Sequence, residues 1–206
     1  MKRNKNNKNK FAILEKAKKI VRKDGWNEKI INKLLDQDVS ASDLVFFFKN
    51  DYKEILNFSL DDLNLILEHR IKKINIINFP TNKRIKKILM ERMKIIHEDK
   101  AFFKKTFNHI LLPQNFKIMK KNLYKTTDSM WYLAGDNSTD FNYYTKRLIL
   151  SFVYINCLFV LFNKDIKDVE LVIDENLKKI SKIPKLKDRL SILKDNLPFF
   201  LKNIIN

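Results

Sequence analysis

Glycine and proline are nearly missing from this chain. Two glycines and four prolines among 206 residues leave little material for tight hairpins, and Leu, Ile, Lys, Glu and Asn fill long stretches without turn clusters. That composition predicts a mostly helical protein. Cysteine is as scarce. The one thiol, Cys157, lies within an apolar run, so neither a disulfide framework nor a thiolate zinc site can be assembled, and a reducing compartment is expected. A small buried hydrophobe is its plainest role. The three histidines, His69, His97 and His109, have Ile66, Lys94 and Thr106 three residues before them, so none completes a Glu-x-x-His di-iron motif. There is no glycine-rich phosphate loop, and no histidine neighbours Cys157 in sequence, which removes nucleotide and cysteine chemistry. The expectation is a binder rather than an enzyme, with no cofactor and no metal.

Acidic residues are also short. Against 42 Lys and Arg stand 24 Asp and Glu, a formal net charge of +18, which draws a protein toward phosphates on nucleic acid or on an anionic bilayer. Charge alone does not choose between them. Long apolar runs are missing too: Leu148 to Phe162 covers 15 residues, about 22 Å as a helix against a hydrocarbon core of about 30 Å, and is expected not to cross a membrane. Met1 to Lys10 carries Lys2, Arg3, Lys5, Lys8 and Lys10 with no apolar core of signal-peptide type behind it. It reads as a disordered basic arm, residues 1–10, on a chain that is not secreted.

What is present is apolar periodicity. With 45% hydrophobic and 12% aromatic residues, a substantial core can be buried. Ile13, Leu14, Ala17, Ile20 and Val21 form one stripe of a first helix from about Phe11 to Lys23, ended by Asp24-Gly25. Ile30, Ile31, Leu34 and Leu35 mark a second helix over Glu28 to Asp36. Ser40 or Ser42 suits the cap of a third, through Phe48. Three short helices in that order predict a helix-turn-helix unit over residues 11–58. A helix is expected from Leu60 to Phe79, where Pro80 stops it, and another carries Ile85, Ile88, Leu89, Met93 and Ile96. Further helices are expected over Lys100 to Leu112, Asn115 to Leu133, Thr139 to Asn163 and Ile166 to Ile183. Residues 59–183 would form a larger helical ligand-binding domain.

The stretch Val39 to Phe48, followed by Lys49 to Leu56, resembles the recognition-helix region of TetR-type regulators. A helix that reads the major groove needs Arg, Lys, Asn or Gln for base edges and few acids near phosphate. This one offers Asp43 and the phenylalanines Phe46, Phe47 and Phe48. It reads as a retained scaffold packing against something apolar, with no specific nucleic acid as partner. A TetR-like regulator with a small apolar effector remains the rival.

The most unusual segment is Met130 to Arg147, MWYLAGDNSTDFNYYTKR. Gly135 can take the left-handed conformation that closes a helix, Ser138 or Thr139 can cap the next, and Asp140 favours its positive first turn. Asp140, Tyr143, Tyr144 and Arg147 stand at i, i+3, i+4 and i+7, along one face, with the composition of a recognition hot spot. Phe141, Leu148, Phe152, Ile155, Phe159 and Phe162 follow the same period about 100 degrees round and are expected to face the core.

This segment, and the apolar helix after it to Asn163-Lys164-Asp165, closely resembles the signature of the ubiquinone-biosynthesis lipid-binding family, the ninth in the numbered coenzyme Q series. Upstream, Ala17 to Trp26 resembles that family's first helix and Gly-Trp turn. The resemblance implies an all-α, TetR-like fold with a degenerate helix-turn-helix half and an apolar cavity for isoprenoid lipid in the larger half. It implies that Asp140, Tyr143 and Tyr144 engage the di-iron demethoxyubiquinone hydroxylase, and that Arg147 meets a lipid phosphate, with Trp131 and Phe152 as further lipid contacts. At position 143 the family usually has Trp, so Tyr143 keeps an aromatic face with less area. The implied ligand is an isoprenoid quinone precursor or phospholipid, and the implied location is the inner face of a bacterial membrane or the equivalent mitochondrial matrix face.

After Pro184, Leu186, Leu190, Leu193, Leu197, Phe200, Leu201 and Ile204 recur three or four apart between Lys185, Lys187, Arg189, Lys194 and Lys202. Residues 184–206 are expected to form an amphipathic helix for peripheral membrane contact, although such a stripe also suits closing the core or pairing two copies as a homodimer.

Overall fold

The computed structural model describes the backbone of residues 2–139 and 141–182. Asp140 and the expected amphipathic helix 184–206 therefore lie outside the described residues. Within them, nine α-helices follow one another without a strand: α1 Lys2–Asp24, α2 Lys29–Leu35, α3 Ala41–Phe48, α4 Tyr52–Lys72, α5 Thr81–Glu98, α6 Lys100–Ile110, α7 Phe116–Leu133, α8 Phe141–Asn163 and α9 Ile166–Lys182. A short 3-10 turn, Pro113–Asn115, joins α6 to α7. The all-α architecture is as expected, and its element order is compatible with a TetR-like arrangement.

Two expectations are corrected. The first ten residues do not form an irregular arm, because α1 begins at Lys2. No glycine or proline interrupts them, and Lys has good helix propensity, so the helix nucleated by the buried stripe from Ile13 to Val21 continues backward. The helix expected from Leu60 starts at Tyr52 instead, since Asp51 caps it by accepting a hydrogen bond from the Lys53 backbone N–H at 2.8 Å. It ends at Lys72, short of Phe79. The 58/59 boundary consequently falls inside α4, not in a linker.

That long α4 stitches two cores together. Ile55 and Leu56 belong to a first cluster with Leu14, Val21, Trp26, Ile30, Leu34, Leu44 and Phe48. About two to four turns further on, Leu63, Leu67 and Ile71 belong to a second, with Ile88, Leu89, Met93, Met130, Val153, Cys157, Leu161 and Ile173. Phe102 from α6 joins the first cluster. Gly25 turns the chain at φ +72°, which costs glycine little, and delivers Trp26 onto α6. There the indole N–H donates to Thr106 Oγ1 at 2.9 Å and the ring meets Phe102 edge-on.

The second cluster is crossed by a buried cation. Arg92 on α5 is 1% exposed. It donates to Tyr154 Oη on α8 (3.0 Å), Asn64 Oδ1 on α4 (2.7 Å) and Thr126 Oγ1 on α7 (3.2 Å), so one guanidinium ties four helices. Helix α9 lies against α5 and α8, burying Val169 and Ile173, while Lys86 of α5 pairs with Asp174 at 2.7 Å and Glu170 at 3.3 Å.

Candidate functional site: an aromatic ridge and an open apolar helix face

The segment Met130 to Arg147 brings α7 and α8 together around a tight corner. Gly135 adopts φ +78° and closes α7. A Cβ there would stand 3.0 Å from Arg84 Nη1, which itself donates to the Ala134 carbonyl at 3.0 Å. Ser138 is engaged inside the corner. Its hydroxyl donates to Asp136 Oδ1 at 2.7 Å and accepts from Lys146 Nζ at 2.5 Å.

Arg147 lies at the centre of this corner and is 5% exposed. Its Nε donates to Asp128 Oδ1 at 2.6 Å, and its Nη1 to Asp136 Oδ2 at 3.2 Å and to the Tyr143 carbonyl at 3.0 Å. Lys146 reaches Asp136 from the other side at 2.6 Å. Burial alone would raise the Asp136 carboxyl, but hydrogen bonds from Lys146, Ser138 and Arg147 outweigh it and hold the group below the usual carboxylate range. For Arg147, burial works against the charge, and the bonds to Asp128 and Asp136 more than offset it. The charge of Arg147 is thus engaged by two carboxylates inside the protein.

The four-residue stripe read from sequence therefore divides. Tyr143 is half-buried with Arg147, whose guanidinium carbon lies 3.3 Å from the ring centroid. The Tyr143 hydroxyl donates to Asp128 at 2.9 Å and shares a 2.8 Å bond with Tyr124. Those two bonds, Tyr124 first, push its pKa up to about 12. Tyr144 turns outward at 65% exposure, its ring edge-on to Tyr143. Asp140 lies outside the described residues. Trp131 is half-buried, its indole N–H donating to the Lys146 carbonyl at 3.0 Å and its ring packed on the second core cluster.

Sequence reasoning did not single out Asp128, Asp136, Tyr124 or Tyr132. Tyr124 and Tyr132 are exposed on α7 and add to the ridge. A groove of about 450 Å³ between the two helices is lined by Asp128, Tyr132, Asp136, Tyr143 and Arg147 among others. No periodicity links residues on different helices, so only the corner reveals these partners. Among the described residues, the acids and bases lining the groove are paired with other side chains.

Beyond the ridge, α8 meets the expected core stripe only at Phe162, which is buried, and Ile155, which is half-buried. Leu148, Phe152 and Phe159 are exposed, Phe152 at 66%, whereas Leu150, Val153, Tyr154, Cys157, Leu158, Leu161 and Phe162 are buried. The helix is apolar nearly all round from Leu148 onward, so its period could not select the inward face. Tyr144, Leu148, Phe152 and Phe159 instead align on one outer face, continuing the ridge along the helix. Phe152 is accordingly no lining of an interior pocket. The helical stretch Tyr143–Asn163 is also longer than the apolar run suggested, and by length and composition alone it suffices to cross a membrane. In this fold its inner face is packed among α5, α7 and α9.

The apolar cavity implied for the larger half is small. A crevice lined by Leu60, Leu63, Phe103, Phe107, Tyr154, Leu158 and Phe162, among others, holds about 30 Å³, room for a water-sized guest. An isoprenoid tail would need these helices to part.

The segment that builds the ridge and the apolar face, residues 117–184, matches the model of a protein family. That family is COQ9. The chain is also similar to the bovine (Bos taurus) mitochondrial ubiquinone biosynthesis protein COQ9, 26% identical over 165 residues, covering 77% of this chain and 52% of that protein. The rat (Rattus norvegicus) COQ9 protein is 28% identical over 165 residues, 77% of this chain and 53% of its own length. A probable COQ9 protein of Dictyostelium discoideum is 25% identical over 166 residues, 74% of this chain and 52% of that protein. The chain thus spans about half the length of the curated COQ9 relatives it matches. The resemblance read from MWYLAGDNSTDFNYYTKR stands, and the COQ9 match covers the corner, α8 and α9.

Proposed function

We propose that this chain is an accessory protein of ubiquinone biosynthesis, not an enzyme, which handles an isoprenoid quinone precursor or phospholipid and presents it to the di-iron demethoxyubiquinone hydroxylase. The observation that carries this reading is continuity: the tyrosine ridge of the α7–α8 corner runs directly into the exposed apolar face of α8. A ridge of Tyr over a rigid ion-pair network suits a protein partner, because rigid aromatic side chains lose little entropy on docking. Leu148, Phe152 and Phe159 beside it suit an apolar tail or the upper layer of a bilayer. Being similar to COQ9 proteins that are named for ubiquinone biosynthesis and for the mitochondrion supports the pathway and the matrix face of the membrane, or its bacterial counterpart.

Affinity for a tail would come from apolar area removed from water, at roughly 25 cal/mol per Å² before ordering costs. Because the crevice admits so little, the tail either lies along α8 or enters as helices separate. The small crevice equally favours a second reading, a helical protein that binds the hydroxylase without carrying lipid. Against a TetR-like regulator stands the outer face of α3, where Ala41, Ser42, Val45 and Phe46 cannot read a base edge bidentately and Lys49, the cap residue at its end, is the one side chain there that could.

The test is a binding titration between the full chain and the hydroxylase. Tyr144→Ala is expected to weaken the complex by about 1–2 kcal/mol, roughly 5- to 30-fold, with thermal stability unchanged because Tyr144 is exposed. Undiminished affinity would remove the ridge from the interface.

A further inference from the structure

In the first core cluster, α3 turns an unusual face outward. Ala41, Ser42, Val45 and Phe46 are all exposed, Val45 at 59% and Phe46 at 71%, and their spacing places them on one side of the helix, with exposed Lys49 as the cap at its end. Behind Phe46 the aromatic rings form a continuous row into the core: Phe46 to Phe47 at 4.9 Å, Phe47 to Phe48 at 6.3 Å, Phe48 to Phe58 at 5.7 Å and Phe58 to Phe11 at 5.3 Å. Lys10 of α1 lies over this row, its Nζ 4.1 Å from the Phe58 centroid and 5.4 Å from that of Phe48. Lys8 is exposed one half-turn earlier, and the first acid of the chain is Glu15. Asp43 lies in the first turn of α3, and Asp51 is engaged as the cap of α4.

We infer that the outer face of α3, with the lysines of α1 beside it, docks on an anionic lipid surface. Exposed Val and Phe gain by leaving water, aromatic rings settle at headgroup depth, and lysines on flexible stems reach lipid phosphates while their methylenes stay on apolar surface. Charge complementarity selects the occupant. A face with an apolar centre, Lys49 on its rim and Lys10 of α1 over the adjoining aromatic row matches a negatively charged bilayer. Nucleic acid fits less well, since Val45 and Phe46 occupy the positions from which a recognition helix would reach base edges. The inference is independent of the apolar face of α8, which belongs to the other core cluster. Together the two faces would give the protein two separate apolar contacts.

Phe46→Cys, in the full chain, carries a polarity-sensitive dye at the centre of the face, and Cys157, fully buried, stays unlabelled. With vesicles of equal parts phosphatidylcholine and phosphatidylglycerol the emission should shift to the blue, and with pure phosphatidylcholine vesicles it should not. The double variant V45D/F46D should lower partitioning onto the anionic vesicles on the order of tenfold with an unchanged melting temperature. An unshifted dye, partitioning equal to that of the parent chain, or a dye response to duplex DNA that vesicles fail to produce would each overturn the inference. A defect in hydroxylase binding without any change here bears on the function proposed above and leaves this assignment intact.

Discussion

Arg147 shows how one side chain can change meaning between sequence and structure. On a helical wheel it joins Tyr144 as a candidate surface contact, yet its guanidinium is walled in by Asp128 and Asp136 and its task is to hold the α7–α8 corner. Asp128 lies 19 residues before it, on another helix, so no local pattern announces the pair. Removing a buried cation strands its carboxylates, at a cost of about 3 kcal/mol when both partners are buried. Asp128 remains 40% exposed in its side chain, so Arg147→Ala is expected to cost about 2 kcal/mol in urea unfolding. A loss under about 0.5 kcal/mol would mean that the network is ornamental. His109 provides a pH signature at the same scale. Its ring is half-buried edge-on to Tyr52, Nε2 has no hydrogen-bond partner, and burial, then the charge of Lys53, lowers its pKa below 6.5. The unfolded chain takes up a proton near pH 6.5 while the folded one resists it. Stability is therefore undiminished above that pH and declines as the pH falls from there toward the folded pKa. His109→Gln should flatten this part of the pH–stability curve; an identical slope in the variant would exclude His109 as its source.

Among the elements, α8 marks the limit of what periodicity reveals. Some helix ends were legible from capping chemistry: Gly25 and Gly135 both take positive φ at the predicted stops, and α9 begins at Ile166 as expected, whereas the Asp51 cap that starts α4 was missed. The inward face of α8 was not, because an apolar residue occupies almost every position from Leu148 to Phe162 and the choice is made by α5, α7 and α9. The start of α1 was misread for the opposite reason: a Lys- and Asn-rich stretch looks disordered by charge, but nothing in it breaks a helix. The assignment of faces has a direct consequence. Leu161→Ala, in the core, should cost about 2–5 kcal/mol, whereas Phe152→Ala should change stability by less than about 0.5 kcal/mol. Thermal or urea unfolding reads both, and equal losses would mean that the outer face is covered.

For the molecule as a whole, the two clusters joined through α4 present apolar surface on α3 and α8, among other places, on a chain of net charge +18. A protein built only to pack itself would bury these faces; one that works at a lipid surface and against a partner has use for both. The all-helical class and the COQ9 resemblance were legible in sequence, the latter from one contiguous signature. Among the described residues, the apolar crevice of the larger half, lined by Phe103, Phe107, Leu158 and Phe162 among others, holds only about 30 Å³. The lipid carriage proposed above would depend on the α8 face or on helix separation. Native mass spectrometry of the full chain after challenge with an isoprenoid quinone precursor addresses this most directly. The account predicts a bound lipid in the parent chain and its loss in L148D/F152D; parent protein that stays empty under the same challenge would contradict it.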